Sequence, residues 1–191
     1  MSSVFQQHVR KFVEVSDEEL ASILAYFEPI SAAKKVNLLE EGKVCRYDYF
    51  VLKGCLRLFF VNNKGVEKTI QFAIENWWMA DYTSLQLQIP SEFYIQAVEK
   101  SEVLAIGVAD RETMLARFPK MERYFRMVHQ KAHAAAQYRT RYQGDYTKEE
   151  LYHHFSRNFP EFVQRIPQHL LASYLGLTPE YLSELRARRI S

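Results

Sequence analysis

The spacing of apolar residues changes twice along the chain and divides it into three segments with different predicted secondary structure. In the first segment, the sequence Ser-Asp-Glu-Glu at 16–19 is a capping box, which predicts that a helix begins there. The helix is expected to end before Pro29. Its apolar face comprises Leu20, Ile23, Leu24 and Phe27.

Short runs rich in β-branched and aromatic residues follow between positions 30 and 108. They lie at 49–52, 55–61, 68–74, 93–98 and 102–106. Turn sequences separate them at Glu41-Gly42, Lys53-Gly54 and Asn62–Gly65. Many short strands with such turns predict an antiparallel sandwich or barrel.

The third segment is predicted to be helical. A short helix at 111–118 precedes a longer one from Pro119 to about Gln143. Apolar residues recur along the longer helix at Met121, Phe125, Val128, Ala132 and Ala135, and Tyr138 and Tyr142 extend the line. A period of about 3.5 residues is that of a coiled-coil seam, so we expect these residues to form a dimer contact. A helix packed on its own domain is the alternative. Gly144-Asp145 is interpreted as a hinge, and a second capping box follows at 147–150.

Residues 168–186 predict two short helices joined by a tight turn. Leu171, Leu175, Leu177, Leu182 and Leu185 lie where two crossing helices would meet, and Ala172 is small at their contact. Gly176 suits the turn, Thr178 is a good N-cap and Pro179 suits the first helical position. This pattern indicates a helix-turn-helix, whose second helix enters the major groove of DNA. An ordinary corner between two core helices is the alternative.

Composition limits the remaining possibilities. The chain has 191 residues, 48% of them hydrophobic and 14% aromatic, with a net charge of +2, so any nucleic-acid surface must be local. No apolar run reaches the roughly 20 residues that span a bilayer, and residues 1–10 lack the apolar core of a signal peptide. Cys45 and Cys55 are expected to be buried and reduced. A cytoplasmic protein without a membrane partner is therefore predicted.

The order of these elements, with Glu41-Gly42, Tyr49–Gly54, Asn63–Gly65 and the terminal motif, resembles the Crp/Fnr family of bacterial transcription regulators. The resemblance implies an α+β fold with an N-terminal helix and an antiparallel β jelly-roll of the cyclic-nucleotide-binding type over 1–110. It also implies connecting and dimerisation helices over 111–143 and a helix-turn-helix domain over 144–191. The expected partners are double-stranded DNA with a two-fold symmetric operator, a second copy of the chain, RNA polymerase and an unknown small-molecule effector.

The chain departs from the family's phosphate-binding cassette. Ala80-Asp81 stands where cyclic-nucleotide binders have Gly-Glu, and Ser91-Glu92 falls near their Arg-Ser. A phosphate requires a cation and free N–H donors, and Glu92 would repel it, so no response to cyclic nucleotides is expected. The candidate effector region comprises Trp77, Trp78, Asp81, Tyr82 and Glu92. Its aromatic residues suit either a neutral ligand or a filled core.

Helix geometry and the resemblance together assign the candidate DNA contacts. By resemblance, Pro179, Glu180 and Glu184 occupy the family's main base-reading positions, and Ser183 also faces outward. The usual arginines are absent there, although a glutamate can accept a hydrogen bond from cytosine N4. The expected phosphate anchors are Thr178, Tyr181, Arg186, Arg188 and Arg189. A solvated helix end is the alternative for the arginines.

Cofactor sites and catalytic motifs are not predicted. Two cysteines cannot supply the four thiolates of an iron–sulfur cluster. His129 and His133 have a spacing that can bind metal or haem, but exposed helix histidines are the favoured interpretation, also for His153-His154. Because no histidine lies between Val9 and Val128, a metal-binding barrel enzyme is not supported. The remaining alternative is a small-molecule-binding regulatory or scaffold module without DNA binding. It is kept open because the sequence stops at Ser191, directly after the recognition helix.

Overall fold

A computed structural model describes residues 2–188, in which helices precede and follow a set of strands. The helices are α1 (Ser2–Arg10), α2 (Asp17–Leu24), α3 (Tyr82–Leu87), α4 (Val108–Arg117), α5 (Lys120–Asp145), α6 (Lys148–Asn158), α7 (Pro160–Arg165), α8 (Gln168–Leu175) and α9 (Pro179–Arg188). The strands are β1 (Glu28–Ala32), β2 (Asn37–Leu39), β3 (Tyr47–Lys53), β4 (Leu56–Val61), β5 (Glu67–Ala73), β6 (Trp78–Met79), β7 (Tyr94–Ala97) and β8 (Ser101–Gly107). Within residues 2–188, no helix is both long enough and apolar enough to cross a membrane.

The strands form two four-stranded antiparallel sheets, in the orders β1-β8-β3-β6 and β2-β7-β4-β5. Their facing sides enclose an apolar core, to which Val51 and Val103 contribute from the first sheet and Leu56 and Ile95 from the second. The prediction of an α+β chain with an antiparallel β-domain is confirmed.

The five predicted runs correspond to β3, β4, β5, β7 and β8, whereas β1, β2 and β6 are not predicted. Strand β1 contains Pro29. In the sequence this proline is interpreted as the end of the preceding helix and not as part of a strand. Proline is tolerated here because β1 lies at the edge of its sheet. Strands β2 and β6 have only 3 and 2 residues, too few for an alternating pattern to be recognised.

A second apolar core lies outside the first sheet, where α1, α2, α4 and the first half of α5 cover it. Strand β3 contributes to both cores because alternate side chains point to opposite faces of a sheet. Tyr49 and Val51 face the sandwich interior, whereas Phe50 and Leu52 face the helices. Both faces of the first sheet are therefore apolar.

Both predicted capping boxes are present. The Ser16 hydroxyl accepts the Glu19 N–H while the Glu19 carboxylate accepts the Ser16 N–H, at the start of α2. Thr147 and Glu150 exchange the same two hydrogen bonds at the start of α6. Each box satisfies two N–H groups that a helix terminus leaves unpaired.

The long helix α5 does not present its apolar residues as one continuous seam. Met121 and Phe125 are buried in the second core of their own chain, so the prediction that they form a dimer contact is wrong. Val128 is half-buried against the same core. Ala132 and Ala135 are exposed. Of the residues predicted to form the dimer contact, Ala132 and Ala135 are therefore the ones that remain open to a partner.

The predicted hinge lies inside α5 rather than after it. Gly144 belongs to the helix, which continues to Asp145. The chain bends at Tyr146, whose extended backbone ends α5 and whose N–H donates to the Tyr142 carbonyl over 3.0 Å. Glycine lowers helix stability without preventing helix formation, so a single glycine near a predicted end is a weak signal.

A third core joins the C-terminal helices to the outer face of the second sheet. Leu171, Leu182 and Phe162 from the helices share it with Cys55 and Phe72 from the strands. Both cysteines of the chain are free and buried, as expected. The predicted boundaries at 110/111 and 143/144 fall inside α4 and α5, and the division into three units stays a prediction.

Candidate nucleic-acid interface and effector region

Helices α8 and α9 form the predicted helix-turn-helix. Gly176 ends α8 with a left-handed backbone (φ 70°), which glycine adopts without steric cost. The Leu177 N–H then donates to the Ala172 carbonyl over 2.9 Å and closes the turn. The Thr178 hydroxyl accepts the Tyr181 N–H over 3.2 Å and caps α9. Each residue that the sequence assigned to the turn therefore has the expected conformation or hydrogen bond.

One face of α9 is buried and the opposite face is exposed. Leu182 and Leu185 pack against α8, with no exposed side-chain surface. The candidate DNA-contacting residues Thr178, Pro179, Glu180, Ser183, Glu184 and Arg188 are exposed, while Tyr181 and Arg186 are half-buried. The ring of Tyr181 packs against the third core. Arg189 lies outside the described residues.

Two of the candidate contacts bind each other. Arg188 Nη2 lies 2.6 Å from Glu184 Oε1, one helical turn away, and both side chains are more than half exposed. A pair this exposed contributes little to stability because water and salt screen it. Its consequence is electrostatic, since the outward surface of α9 carries the carboxylate of Glu180 and an arginine whose charge is balanced by Glu184.

The candidate effector residues differ in burial. Trp78 is buried in the second core, where its indole N–H donates to the Tyr124 hydroxyl over 3.0 Å. Trp77 is 46% exposed, and Glu92 is exposed. The filled-core interpretation therefore holds for Trp78.

Asp81 is the N-cap residue of α3. Its carboxylate accepts the Thr83 and Ser84 N–H groups over 3.1 and 3.2 Å, and the Ser91 hydroxyl over 2.7 Å. Ser84 in turn accepts the Cys45 N–H over 2.8 Å. The donors of this turn are thus satisfied by a carboxylate of the chain itself, which would repel a phosphate.

A buried carboxylate that the sequence interpretation missed lies next to Tyr82. Asp48 is fully buried on β3, and its Oδ1 accepts the Tyr82 hydroxyl over 3.3 Å. Its Oδ2 lies 4.0 Å from Arg111 Nη1 and has no hydrogen-bond partner among residues 2–188. Burial raises the pKa of Asp48 to about 7, although Arg111 and Tyr82 oppose the shift. The available signal was its position, two and four residues before the core-facing Phe50 and Leu52.

Three of the histidines considered as metal ligands contact aromatic rings or a carboxylate of the chain. The ring centres of His129 and Tyr82 are 5.2 Å apart with the rings nearly perpendicular, and burial lowers the pKa of His129. His154 packs 4.3 Å from Tyr142, and His153 lies 3.6 Å from Glu149. Among residues 2–188, no three His, Cys, Asp or Glu side chains are grouped closely enough to hold a metal ion.

No protein-family model matches the chain, and no characterised protein matches it in sequence. Solved structures do match it. The Thermus thermophilus catabolite activator protein is 20% identical, with 91% of this chain and 83% of that chain covered and a TM-score of 0.57. FixK2 from Bradyrhizobium japonicum is 16% identical over 85% of this chain and 83% of that chain, with a TM-score of 0.69.

A third neighbour is CLP of Xanthomonas campestris, described as a c-di-GMP-responsive global regulator. It is 11% identical over 91% of both chains, with a TM-score of 0.70. These neighbours are Crp/Fnr regulators that combine a cyclic-nucleotide-binding domain with a helix-turn-helix. The chain has their fold. The resemblance inferred from the sequence is therefore confirmed at the level of the fold.

Proposed function

We propose that this protein is a sequence-specific, DNA-binding transcription regulator of the Crp/Fnr type, and not an enzyme. The observation that carries the proposal is the exposed face of α9, opposite Leu182 and Leu185, on a correctly capped helix-turn-helix. A helix presented in this way can enter the major groove, where base pairs display distinct donors and acceptors. RNA polymerase and a small-molecule effector are further proposed partners.

Glu180 and Glu184 are the proposed base-reading side chains, with Pro179 and Ser183 alongside them. A carboxylate accepts a hydrogen bond from cytosine N4, so cytosine is the expected preference. Thr178, Arg186, Arg188 and Arg189 are proposed to contact phosphates, which orient the protein without reading sequence. Tyr181, which is half-buried, is proposed to make such a contact through its hydroxyl.

The operator is proposed to be two-fold symmetric because the protein is proposed to be a homodimer. The second half of α5 supports this, since Val128, Ala132 and Ala135 offer small or apolar surface that allows close approach of a second helix. Two copies of α9 would then read successive half-sites about one helical turn of DNA apart.

Selection of preferred sequences from random DNA, followed by titration at several salt concentrations, tests the proposal. Glu180→Ala is expected to relax preference at one base pair per half-site and to cost roughly 1–3 kcal/mol on the selected sequence. Arg186→Ala should weaken all sequences alike and reduce the salt slope by about one unit. Arg117→Ala, which removes an exposed arginine from α4, is the matched control and should change neither quantity.

An unchanged selected sequence in the Glu180 variant would contradict its base-reading role. A wild-type protein without any sequence preference would favour the second candidate, a regulatory or scaffold module that no longer binds DNA. One observation favours that candidate: Glu184 holds Arg188, and the outward face of the first turn of α9 carries Glu180 and no arginine.

We further propose that cyclic nucleotides do not bind specifically. Asp81 accepts the Thr83 and Ser84 N–H groups at the start of α3. Exposed Glu92 adds a second negative charge next to Ser91, whose hydroxyl donates to Asp81. Isothermal titration with cyclic AMP and cyclic GMP should show no binding. Because c-di-GMP also carries phosphates, the same result is expected for it. A micromolar dissociation constant for any of the three would contradict this part of the proposal.

A further inference from the structure

The edge of the second sheet is covered by the helix-turn-helix of the same chain. Strand β5 is the last strand of its sheet, and an edge strand leaves N–H and C=O groups unpaired. Ser173 on α8 binds two of these groups. Its hydroxyl accepts the Thr69 N–H and donates to the Glu67 carbonyl, each over 3.0 Å. One side chain of the DNA-binding unit thus replaces part of a neighbouring strand.

The long helix reaches the same edge through Arg139. Its guanidinium donates to the Ile70 carbonyl on β5 and, over 3.4 Å, to the Tyr174 carbonyl on α8. It also stacks on the Tyr174 ring, with the guanidinium carbon 4.0 Å from the ring centre. Strand β5, the proposed dimerisation helix and the helix-turn-helix therefore meet at one arginine.

A second contact lies just beyond the other end of β5. Arg165, the last residue of α7, donates two hydrogen bonds to Glu75 over 2.8 and 2.7 Å and two to Glu99 over 2.8 and 2.5 Å. Glu75 also accepts the Gly54 N–H over 2.8 Å. Burial alone would raise the pKa of Glu75, but the hydrogen bonds from Arg165 and Gly54 outweigh it and lower the pKa to about 2.

Apolar contacts fill the space between these two polar contacts. Phe72 on β5 packs 5.3 Å from Phe162 and 5.2 Å from Tyr174, ring centre to ring centre. We use the term β5 latch for Ser173, Arg139 and Arg165 with their partners Glu67, Thr69, Ile70, Tyr174, Glu75 and Glu99. All three latch side chains belong to helices that follow the β-domain in sequence.

We propose that the β5 latch positions the helix-turn-helix for DNA recognition, by fixing α8 and therefore α9 relative to the β-domain and to α5. The inference rests on the proposed DNA-binding function. The outward residues of α9 are exposed in the structure in which these contacts are formed. The latch therefore orients the DNA-reading surface without covering it. Arg139, Arg165 and Ser173 are positioning residues, since they contact β5, α8 and the β-domain loops.

Amide hydrogen exchange without DNA tests whether the latch exists in solution. Arg165→Gln removes the charge at the end of the latch that is remote from Ser173. We expect exchange in residues 66–73 to become at least roughly tenfold faster, because the edge amides of β5 lose their cover when α8 moves away. Arg157→Gln, an exposed arginine on α6, is the control and should leave exchange unchanged. Unchanged exchange in the Arg165 variant would overturn the proposal.

DNA titration tests whether the latch positions α9. Glu75→Gln and Arg165→Gln change the net charge in opposite directions, so a purely electrostatic effect would strengthen DNA binding in the first and weaken it in the second. The latch predicts that both weaken operator binding, by roughly tenfold if one molecule in ten remains oriented. The selected sequence should stay the same, and Glu28→Gln, on the other sheet, should have no effect.

The two measurements separate failure of the latch from failure of the proposed function. If the wild type binds no DNA but Arg165→Gln still accelerates exchange in β5, the DNA-binding function is wrong and the latch remains as a structural contact. Opposite effects of the Glu75 and Arg165 variants on DNA binding, or tighter binding in both, would overturn the positioning role. Glu99→Gln, which keeps the Glu75–Arg165 pair, serves if either variant does not fold, and should give a smaller loss in the same direction.

Discussion

The two halves of α5 carry one apolar period but have different surroundings. In the first half, Met121, Tyr124 and Phe125 are buried against the β-domain of their own chain. In the second half, Ala132 and Ala135 follow the same spacing and are exposed. A periodic pattern therefore identifies which face of a helix is apolar, but it does not identify the chain that covers that face.

The residues on the apolar faces of the two halves differ in size and in hydrogen bonding. The Tyr124 hydroxyl accepts the Trp78 indole N–H over 3.0 Å and lies 2.9 Å from His8 Nδ1, so the first half is anchored by specific hydrogen bonds inside an aromatic cluster. Alanines make no such contacts and suit the close approach of another helix. We infer that the first half stabilises the β-domain. The second half combines the proposed partner surface at Ala132 and Ala135 with the contact of Arg139 with β5 and α8.

Truncating a large side chain in the first half should have the largest effect. Phe125→Ala is expected to lower the free energy of unfolding by roughly 3–5 kcal/mol, because it leaves a cavity beside Trp78 and Tyr124. Urea unfolding measures the change. Tyr138→Ala, in the exposed half of the same helix, should cost less than about 1 kcal/mol. Equal losses in the two variants would contradict the distinction between the halves.

A charge in the second half should act on association rather than on folding. Ala132→Asp would place two carboxylates in the proposed dimer contact, and we expect dimer dissociation to become at least about a hundredfold easier, or about 2.7 kcal/mol. Analytical ultracentrifugation between nanomolar and micromolar concentrations measures it. Gln130→Asp, on the opposite side of the helix, is the control. A wild-type protein that is monomeric at micromolar concentration would refute the dimer.

His8 and Asp48, two buried groups near α5, should change the stability of the protein with pH in opposite directions. Burial, with help from Lys11 and Lys131, lowers the pKa of His8 to about 4, so its stabilising contribution is lost as the pH falls from 6.5 towards 4. Burial raises the pKa of Asp48 to about 7, so its contribution is present at low pH and is lost as the pH rises from 3.8 through 7. The two slopes oppose each other between about pH 4 and pH 6.5.

Replacing one of the two groups should reveal how the other changes the free energy of unfolding with pH. In Asp48→Asn, the free energy of unfolding should rise with pH between 4.5 and 6.5, by at most about 1.4 kcal/mol per pH unit. In His8→Gln, it should fall with pH over the same interval. Urea unfolding at three pH values measures both slopes. If both variants keep the wild-type profile, neither group titrates as the structure indicates.

Local signals in the sequence were sufficient for the helix-turn-helix, because Gly176, Thr178 and Pro179 act through their own backbone and nearest neighbours. They were also sufficient for the longer strands. They were not sufficient for Asp48, whose burial depends on which helices cover β3. They could not indicate the contact of Arg165 with Glu75, 90 residues away, because neither residue belongs to a motif. The sequence also could not indicate that only the first half of α5 is buried, since that burial depends on packing against the β-domain.

The smallest expected effect tests the predicted hinge in the second half of α5. Gly144 lies within the helix. Apart from its chain neighbours and the backbone of its own helix, no described atom would lie within 4 Å of a Cβ at this position. Gly144→Ala should therefore raise the free energy of unfolding by about 0.5–1 kcal/mol, since alanine favours the helical backbone more than glycine does. Gly176→Ala also meets open space but has a φ of 70°, so it should lower stability by roughly 1 kcal/mol or more. Thermal unfolding compares the two variants, and DNA titration should show unchanged affinity for Gly144→Ala. A more stable Gly144 variant that binds DNA more weakly would support the hinge interpretation. It would show that the second half of α5 must bend to place the helix-turn-helix.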